Sequence, residues 1–197
     1  MKKILVAVDM QNDFIDGALG TSEAMAIVPN VVEKIQNADD NTVVLFTKDT
    51  HFEDYLETQE GKNLPVEHCM FKTEETNNGW QIHKSVRGAW LGKENAIILE
   101  HELMPNNDNT VLKGTFGATG LVSVLASLFG DSKGANWEIE LVGLCTDICV
   151  ISNAMLLKTF FPEAKMSIDA SCCAGVTPES HENALLAMEQ CQIEIKR

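Results

Sequence analysis

The sequence predicts a three-layer α/β fold, with a central parallel sheet flanked by helices on both faces. Three observations predict it. Strand patterns and helical patterns alternate along the chain. The first strand candidate, Ile4-Leu5-Val6-Ala7-Val8, is an unbroken apolar run, as expected of a central strand buried on both faces. No internal repeat or low-complexity linker interrupts the 197 residues, 45% of which are apolar. The alternation implies right-handed βαβ crossovers, and the length supports one full-sized core, so a single domain over residues 1–197 is expected.

After the strand at 4–8, Pro29 suits a first helical turn, and Val31, Val32 and Ile35 follow on one face, so a helix is expected over 29–38. Further strands are expected at 42–46, 96–99, 110–112, 138–142 and 166–168, with 193–195 closing the sheet. Helical spacing marks 118–129, 147–160 and 178–190. In the 147–160 helix the apolar face runs through Val150, Ala154, Leu157 and Phe161, and Thr146 or Asp147 can cap it. The segment 48–92 is the exception. It is polar and acidic, holds Gly61, Pro65 and Gly79, and has no sustained apolar period. Long irregular segments inside compact domains usually serve function.

Several classes are disfavoured. With 15 Lys+Arg against 29 Asp+Glu the net charge is −14, and no basic cluster offsets it, which argues against nucleic acid as a partner. Neither GxGxxG nor GxxxxGK[ST] occurs, so no nucleotide cofactor is expected. The apolar run after Lys2-Lys3 ends at Asp9, too soon for a secretory signal, and no stretch reaches the roughly 18 apolar residues of a membrane span. Six cysteines (69, 145, 149, 172, 173 and 191) include an adjacent pair and no CxxC, which fits free thiols in a reducing, cytoplasmic setting. Cys172 and Cys173 read as packing.

Ligands of open parallel sheets bind beyond the carboxyl ends of the strands. The polar residues there are Asp9, then Asp49 and His51, then Lys113, then the turn from Cys145 to Cys149. Cys149 falls in the first turn of the 147–160 helix. The helix dipole and free amides there should lower its thiol pKa from about 8.5, and the same amides can bind an oxyanion, with the Cys145 N–H as a second donor. Asp49 and His51, one residue apart on an extended segment, can face one metal ion. His68 is the best third ligand, and Glu60 a fourth, with Glu53, Glu57 and Glu67 as competitors. His83, His101 and His181 lack such company and read as surface or packing residues.

Five stretches together carry a resemblance. They are Val8-Asp9-Met10-Gln11-Asn12-Asp13-Phe14, Thr47-Lys48-Asp49-Thr50-His51, Pro65-Val66-Glu67-His68-Cys69, Leu112-Lys113-Gly114-Thr115 and Gly143-Leu144-Cys145-Thr146-Asp147-Ile148-Cys149-Val150. In this order over nearly the whole chain, they resemble the isochorismatase-like cysteine hydrolases, a Rossmann-like family. The pairing of Asp-x-His with a later His-Cys resembles the nicotinamidase/pyrazinamidase branch. The resemblance implies Cys149 as nucleophile, Asp9 as general acid/base and Lys113 as the stabilising cation. It further implies an oxyanion hole from the amides of Cys145 and Cys149, and a cis peptide between Leu144 and Cys145. It implies a divalent metal such as zinc, iron or manganese on Asp49, His51 and His68, a small primary amide as substrate, and a homo-oligomer.

Two departures stand out. Leu64 precedes Pro65 where the nicotinamidase pattern usually has Trp, and two residues instead of one separate Pro65 from His68. No further His lies between His51 and His68, so Glu60 or water must complete the metal site. Phe14, Trp80 or Trp90 is then needed to supply an aromatic wall, and Phe14 and Leu144 are the expected pocket residues. The rival readings are a hydrolase of the same superfamily acting on a carbamoyl amide, ureido compound or enol ether, and a catalytically silent binding protein on this fold.

Overall fold

The computed structural model describes residues 2–71, 78–104 and 108–197. Its sheet has six strands, all parallel: β1 (Lys2–Val8), β2 (Thr42–Asp49), β3 (Thr110–Lys113), β4 (Trp137–Leu144), β5 (Lys165–Ala174) and β6 (Glu194–Lys196), in the order β3-β2-β1-β4-β5-β6. The helices are α1 (Asn12–Ile15), α2 (Ser22–Asn37), α3 (Gln59–Asn63), α4 (Lys84–Leu91), α5 (Thr119–Phe129), α6 (Ile151–Phe160) and α7 (Pro178–Gln190).

The unbroken apolar run of β1 is explained by two cores. Ile4, Val6 and Val8 pack under α5, α6 and α7, in one cluster with Leu125, Leu157 and Leu185. Leu5 and Ala7 point the other way, into a cluster with Val31 and Ile35 of α2 and Val86 and Trp90 of α4. Successive side chains of a strand face opposite sides, so a strand covered twice must be apolar at every position.

Three expectations need correction. Helix α2 begins at Ser22, capped by the Thr21 hydroxyl, and Pro29 sits inside it. Pro29 and Met25, whose carbonyl loses its N–H partner there, are both exposed, so water can replace that bond. Residues 96–99 are not a strand. Their backbone is tied instead by one side chain: Asn109 Oδ1 accepts from Leu99 N (2.8 Å), while its Nδ2 donates to the carbonyls of Ile97 (2.7 Å) and Val44 (2.8 Å). The segment 48–92 holds α3 and α4; α4 escaped notice because it is short and presents only Val86, Ala89 and Trp90 to the core. Part of that segment, 72–77, lies outside the described residues.

The order of strands fixes where chemistry can collect. The connections from β1 and β4 leave in opposite directions, the switch point at whose carboxyl side open parallel sheets bind their ligands. Gly143 lets these ends approach. Its φ is +114°, and a Cβ there would lie 2.1 Å from the carbonyl oxygen of Val8.

Candidate active site

Asp9 leaves β1 with a φ of +47°, a left-handed conformation that Asp tolerates better than most residues, and it is fully buried. Its Oδ1 accepts a hydrogen bond from the Thr47 hydroxyl (2.7 Å). Its Oδ2 has no aligned hydrogen-bond donor but lies 2.7 Å from Lys113 Nζ, an ion pair. Lys113, the last residue of β3, also lies 3.3 Å from Asp49 Oδ1 and 3.6 Å from Cys149 Sγ. Acid, cation, thiol and the second carboxylate therefore meet at one ammonium, though 104 residues separate Asp9 from Lys113 in sequence.

The turn carrying Cys149 differs from a plain helix start. Residues Thr146–Val150 form a wide π-helical turn before α6, and the Cys145 carbonyl accepts from both Ile148 N and Val150 N. No side chain caps it. Thr146 is hydrogen-bonded to His181 Nδ1 (2.8 Å), and Asp147 accepts from Val176 N (3.1 Å), so both expected caps are engaged elsewhere. The Cys149 carbonyl, where the wide turn meets α6, accepts from Asn153 Nδ2 (2.8 Å). Asn153 Oδ1 in turn accepts from Ala118 N, which ties the loop after Lys113 to the helix that follows Cys149. The peptide between Leu144 and Cys145 is cis.

Electrostatics overturn one expectation. Burial, and next the Asp9 charge, push the Cys149 thiol well above its ordinary range, with Lys113 opposing them. The helix-start effect is local and modest, whereas complete desolvation is not. Burial likewise raises Asp9, against the pull of Lys113. Lys113 is held protonated: burial opposes this, and the charges of Asp9, Cys149 and Asp49 outweigh it.

The second cluster gathers Asp49, His51, Glu60 and His68, with one ligand atom from each lying within 4.8 Å of all the others. Asp49 Oδ2 is 2.9 Å from His51 Nε2 and 3.5 Å from His68 Nε2, and Glu60 Oε1 is 3.8 and 3.9 Å from the same nitrogens. Donors around a tetrahedral ion with bonds of about 2.0–2.2 Å lie roughly 3.3 Å apart, so two imidazoles and two carboxylates at these separations fit a divalent ion. His68 Nδ1 lies 2.8 Å from the Val66 carbonyl, which leaves Nε2 to face the cluster. Asp49 stays ionised well below the usual carboxylate range; burial opposes this, and hydrogen bonds from His51 and His68 together with the Lys113 charge outweigh it. Glu53, Glu57 and Glu67 are not in the group.

Around it, the ring of Phe14 stands 5.5 Å from that of His68, and Tyr55 packs at 4.6 Å from His51 and 5.2 Å from His68. Trp90 does not reach the site: it is buried beneath α2, edge-on to Phe46. Trp80 is nearby, its indole N–H donating to the Thr50 hydroxyl (3.0 Å) under the Lys48 ammonium. The side chain of Leu144 is buried in the α2–α4 core cluster, so what it can present to a ligand is backbone. Sequence reasoning missed the roles of Thr47, Asp13, Tyr55, Asn153 and His181. Asp13 Oδ2, for example, accepts from Cys69 N (2.7 Å) and so pins the residue after His68. The only signal for these was membership of the quoted stretches, which named Asp13 and Thr47 without a task.

Comparison with known proteins finds the same fold in solved structures. A nicotinamidase from Bacillus subtilis superposes with a TM-score of 0.75 at 22% identity, over 100% of both chains. A pyrazinamidase from Pyrococcus horikoshii, solved in complex with zinc, gives 0.71 at 21% over 100% of this chain and 99% of that one. An N-carbamoylsarcosine amidase from Thermoplasma acidophilum gives 0.68 at 21% over 100% and 96%. No curated protein matches in sequence. The isochorismatase domain model matches residues 3–196, and the chain therefore belongs to the isochorismatase family.

Proposed function

We propose that the protein, read as one domain, is a cysteine-dependent amidohydrolase of the nicotinamidase type that converts a small primary amide to its acid and ammonia. The observation that carries this reading is the meeting of Asp9, Cys149 and the metal-ligand candidate Asp49 at the Lys113 ammonium, at 2.7, 3.6 and 3.3 Å.

The thiol is protonated at rest, so its proton passes to Asp9 Oδ2 as Sγ bonds to the amide carbon. The carbonyl oxygen becomes an oxyanion held by the amides of Cys145 and Cys149. The C–N bond then breaks, Asp9 returns the proton to the departing nitrogen, and ammonia leaves a thioester. Water adds to that carbon while Asp9 takes its proton; the C–S bond breaks, the carboxylic acid leaves, and the proton returns to sulfur. Lys113 keeps Asp9 oriented and offsets the charge that grows on sulfur.

Asp49, His51, Glu60 and His68 would hold a divalent ion, with zinc, iron and manganese as the candidates. When bound, such an ion supplies a Lewis-acid contact that fixes a heteroaromatic nitrogen of the substrate. Phe14, beside His68, would form the wall that the Leu64-Pro65 segment does not supply. That same departure supports a second reading, a carbamoyl or ureido amide as substrate. The free cysteines support a reducing, cytoplasmic setting, and a homo-oligomer remains part of the proposal.

Ammonia release from nicotinamide by zinc-loaded protein tests the proposal. Turnover that vanishes in Cys149→Ala is expected. Activity on carbamoyl or ureido amides alone moves the protein to the second reading, and activity surviving in Cys149→Ala overturns the mechanism.

A further inference from the structure

Gln11 follows Asp9 by two residues, is completely buried, and takes no part in the chemistry above. Its side chain is nonetheless among the most fully bonded in the site. Oε1 accepts from Asp49 N (2.6 Å), and Nε2 donates to the carbonyls of Asp49 (2.9 Å) and Trp80 (2.9 Å). Both amide hydrogens are used.

The backbone explains why a side chain is needed here. The ladder between β1 and β2 ends at Ala7 opposite Phe46, and the turn at Asp9 carries β1 away. Asp49 is three residues past that last pair, so on this flank its N–H and C=O have no strand to meet. The Gln11 amide presents a donor and an acceptor in the arrangement of a peptide group and replaces the missing strand. On the other flank Asp49 is in register with Lys113. The Gln11 main chain is itself anchored, bridged to Ile82 through the bonds of Asn12 N to Gln81 O and His83 N to Met10 O.

We infer that Gln11 is a positioning residue for the metal centre: through both peptide groups of Asp49 it sets where that carboxylate points, toward His51 and His68 with one oxygen and toward Lys113 with the other. The inference rests on the reading of Asp49, His51, Glu60 and His68 as metal ligands. Removing the amide leaves the ligands in place but lets Asp49 relax, and loss of such outer partners typically weakens metal binding about 10- to 100-fold.

The matched control is Asn109. It is also buried, and its amide also makes three hydrogen bonds to backbone, but it ties residues 97–99 to β2 and touches no ligand. Zinc affinity is measured by titration against a competing chelator for the unmutated protein, Gln11→Met, Gln11→Asn and Asn109→Ala, with a thermal melt of each. Gln11→Asn keeps the amide but is one methylene too short to reach. The expected result is a dissociation constant raised about 10-fold or more in both Gln11 variants, and unchanged within two-fold in Asn109→Ala even where its melting temperature falls as far. Native zinc affinity in either folded Gln11 variant overturns the role of Gln11, and so does an equal loss in Asn109→Ala. Absence of zinc binding by the unmutated protein overturns the metal reading itself, and the Gln11 role with it.

Discussion

Two lysines in this protein each sit between two carboxylates. At the carboxyl ends of the strands Lys113 joins Asp9 and Asp49, with the three side chains 2%, 0% and 6% exposed. On the α2 side of the sheet Lys34 joins Glu140 (3.2 Å) and Asp169, with side chains 23%, 21% and 15% exposed, and Lys196 adds a second cation on Glu140 (2.7 Å). Composition and connectivity are alike, yet Asp9 and Asp169 behave oppositely, while Asp49, which His51 and His68 also bond, is lowered. Asp169 is lowered: burial works against this, but the hydrogen bonds from Lys34 and Ser171 prevail where water still shares the charge. Asp9 is raised, because complete desolvation outweighs even a lysine at 2.7 Å. An ion triad near solvent keeps its carboxylate ionised, whereas full burial raises Asp9, which suits the proton-exchanging role proposed for it.

The sharpest way to break the comparison is to remove the proposed nucleophile, which lies beside only one of the triads. Cys149→Ala should abolish ammonia release, whereas Cys145→Ala should retain it; the reverse pattern would reassign the nucleophile. Next in size is the loss of each central cation. Lys113→Met strands two buried carboxylates and should cost about 3–5 kcal/mol in denaturant unfolding along with activity, against at most about 1 kcal/mol for Lys34→Met. Equal costs would remove burial as the deciding difference.

His68→Ala should strip the proposed divalent ion and weaken substrate binding while leaving the Lys113–Asp9 pair intact, which elemental analysis and KM together would report. Protonation comes next. In the proposed mechanism Asp9 must be ionised to accept the thiol proton, and its pKa is raised, so kcat/KM should fall with decreasing pH at a midpoint above the ordinary carboxylate value of about 3.9. The Cys149 thiol is raised too, so its alkylation in the free protein should keep accelerating beyond the ordinary thiol range near pH 8.5. Fast alkylation at neutral pH would mean that the helix start outweighs burial at this sulfur.

The smallest effect belongs to the outer triad. The folded pKa of Asp169 lies below its unfolded value of about 3.9, so its pairing stabilises above that pH and is lost as pH falls through the lowered value. The stability difference between the unmutated protein and Lys34→Met should therefore shrink in acid.

The sequence by itself determined what depends on neighbours along the chain. Unbroken apolar runs placed β1 and most of β2, because a doubly covered strand has no polar face to show, whereas β4 alternates Glu138 and Glu140 with apolar residues before its buried end. Helical spacing after Val142 put Cys149 near a helix start, which the structure widens into a π-helical turn, and Asp49 with His51 pointed to a candidate ligand pair. Tertiary structure decided what depends on which strands lie side by side. Residues 96–99 have a strand's composition, but the Asn109 side chain meets their backbone and no strand pairs with them. Lys113 reaches Cys149 across 36 residues and Asp49 across 64 because β3 packs beside β2 at the carboxyl end of the sheet. The direction of the Cys149 shift followed the same rule. A helix start favours the thiolate locally, whereas burial beside Asp9 disfavours it, and burial is a property of the folded whole that no window of sequence contains.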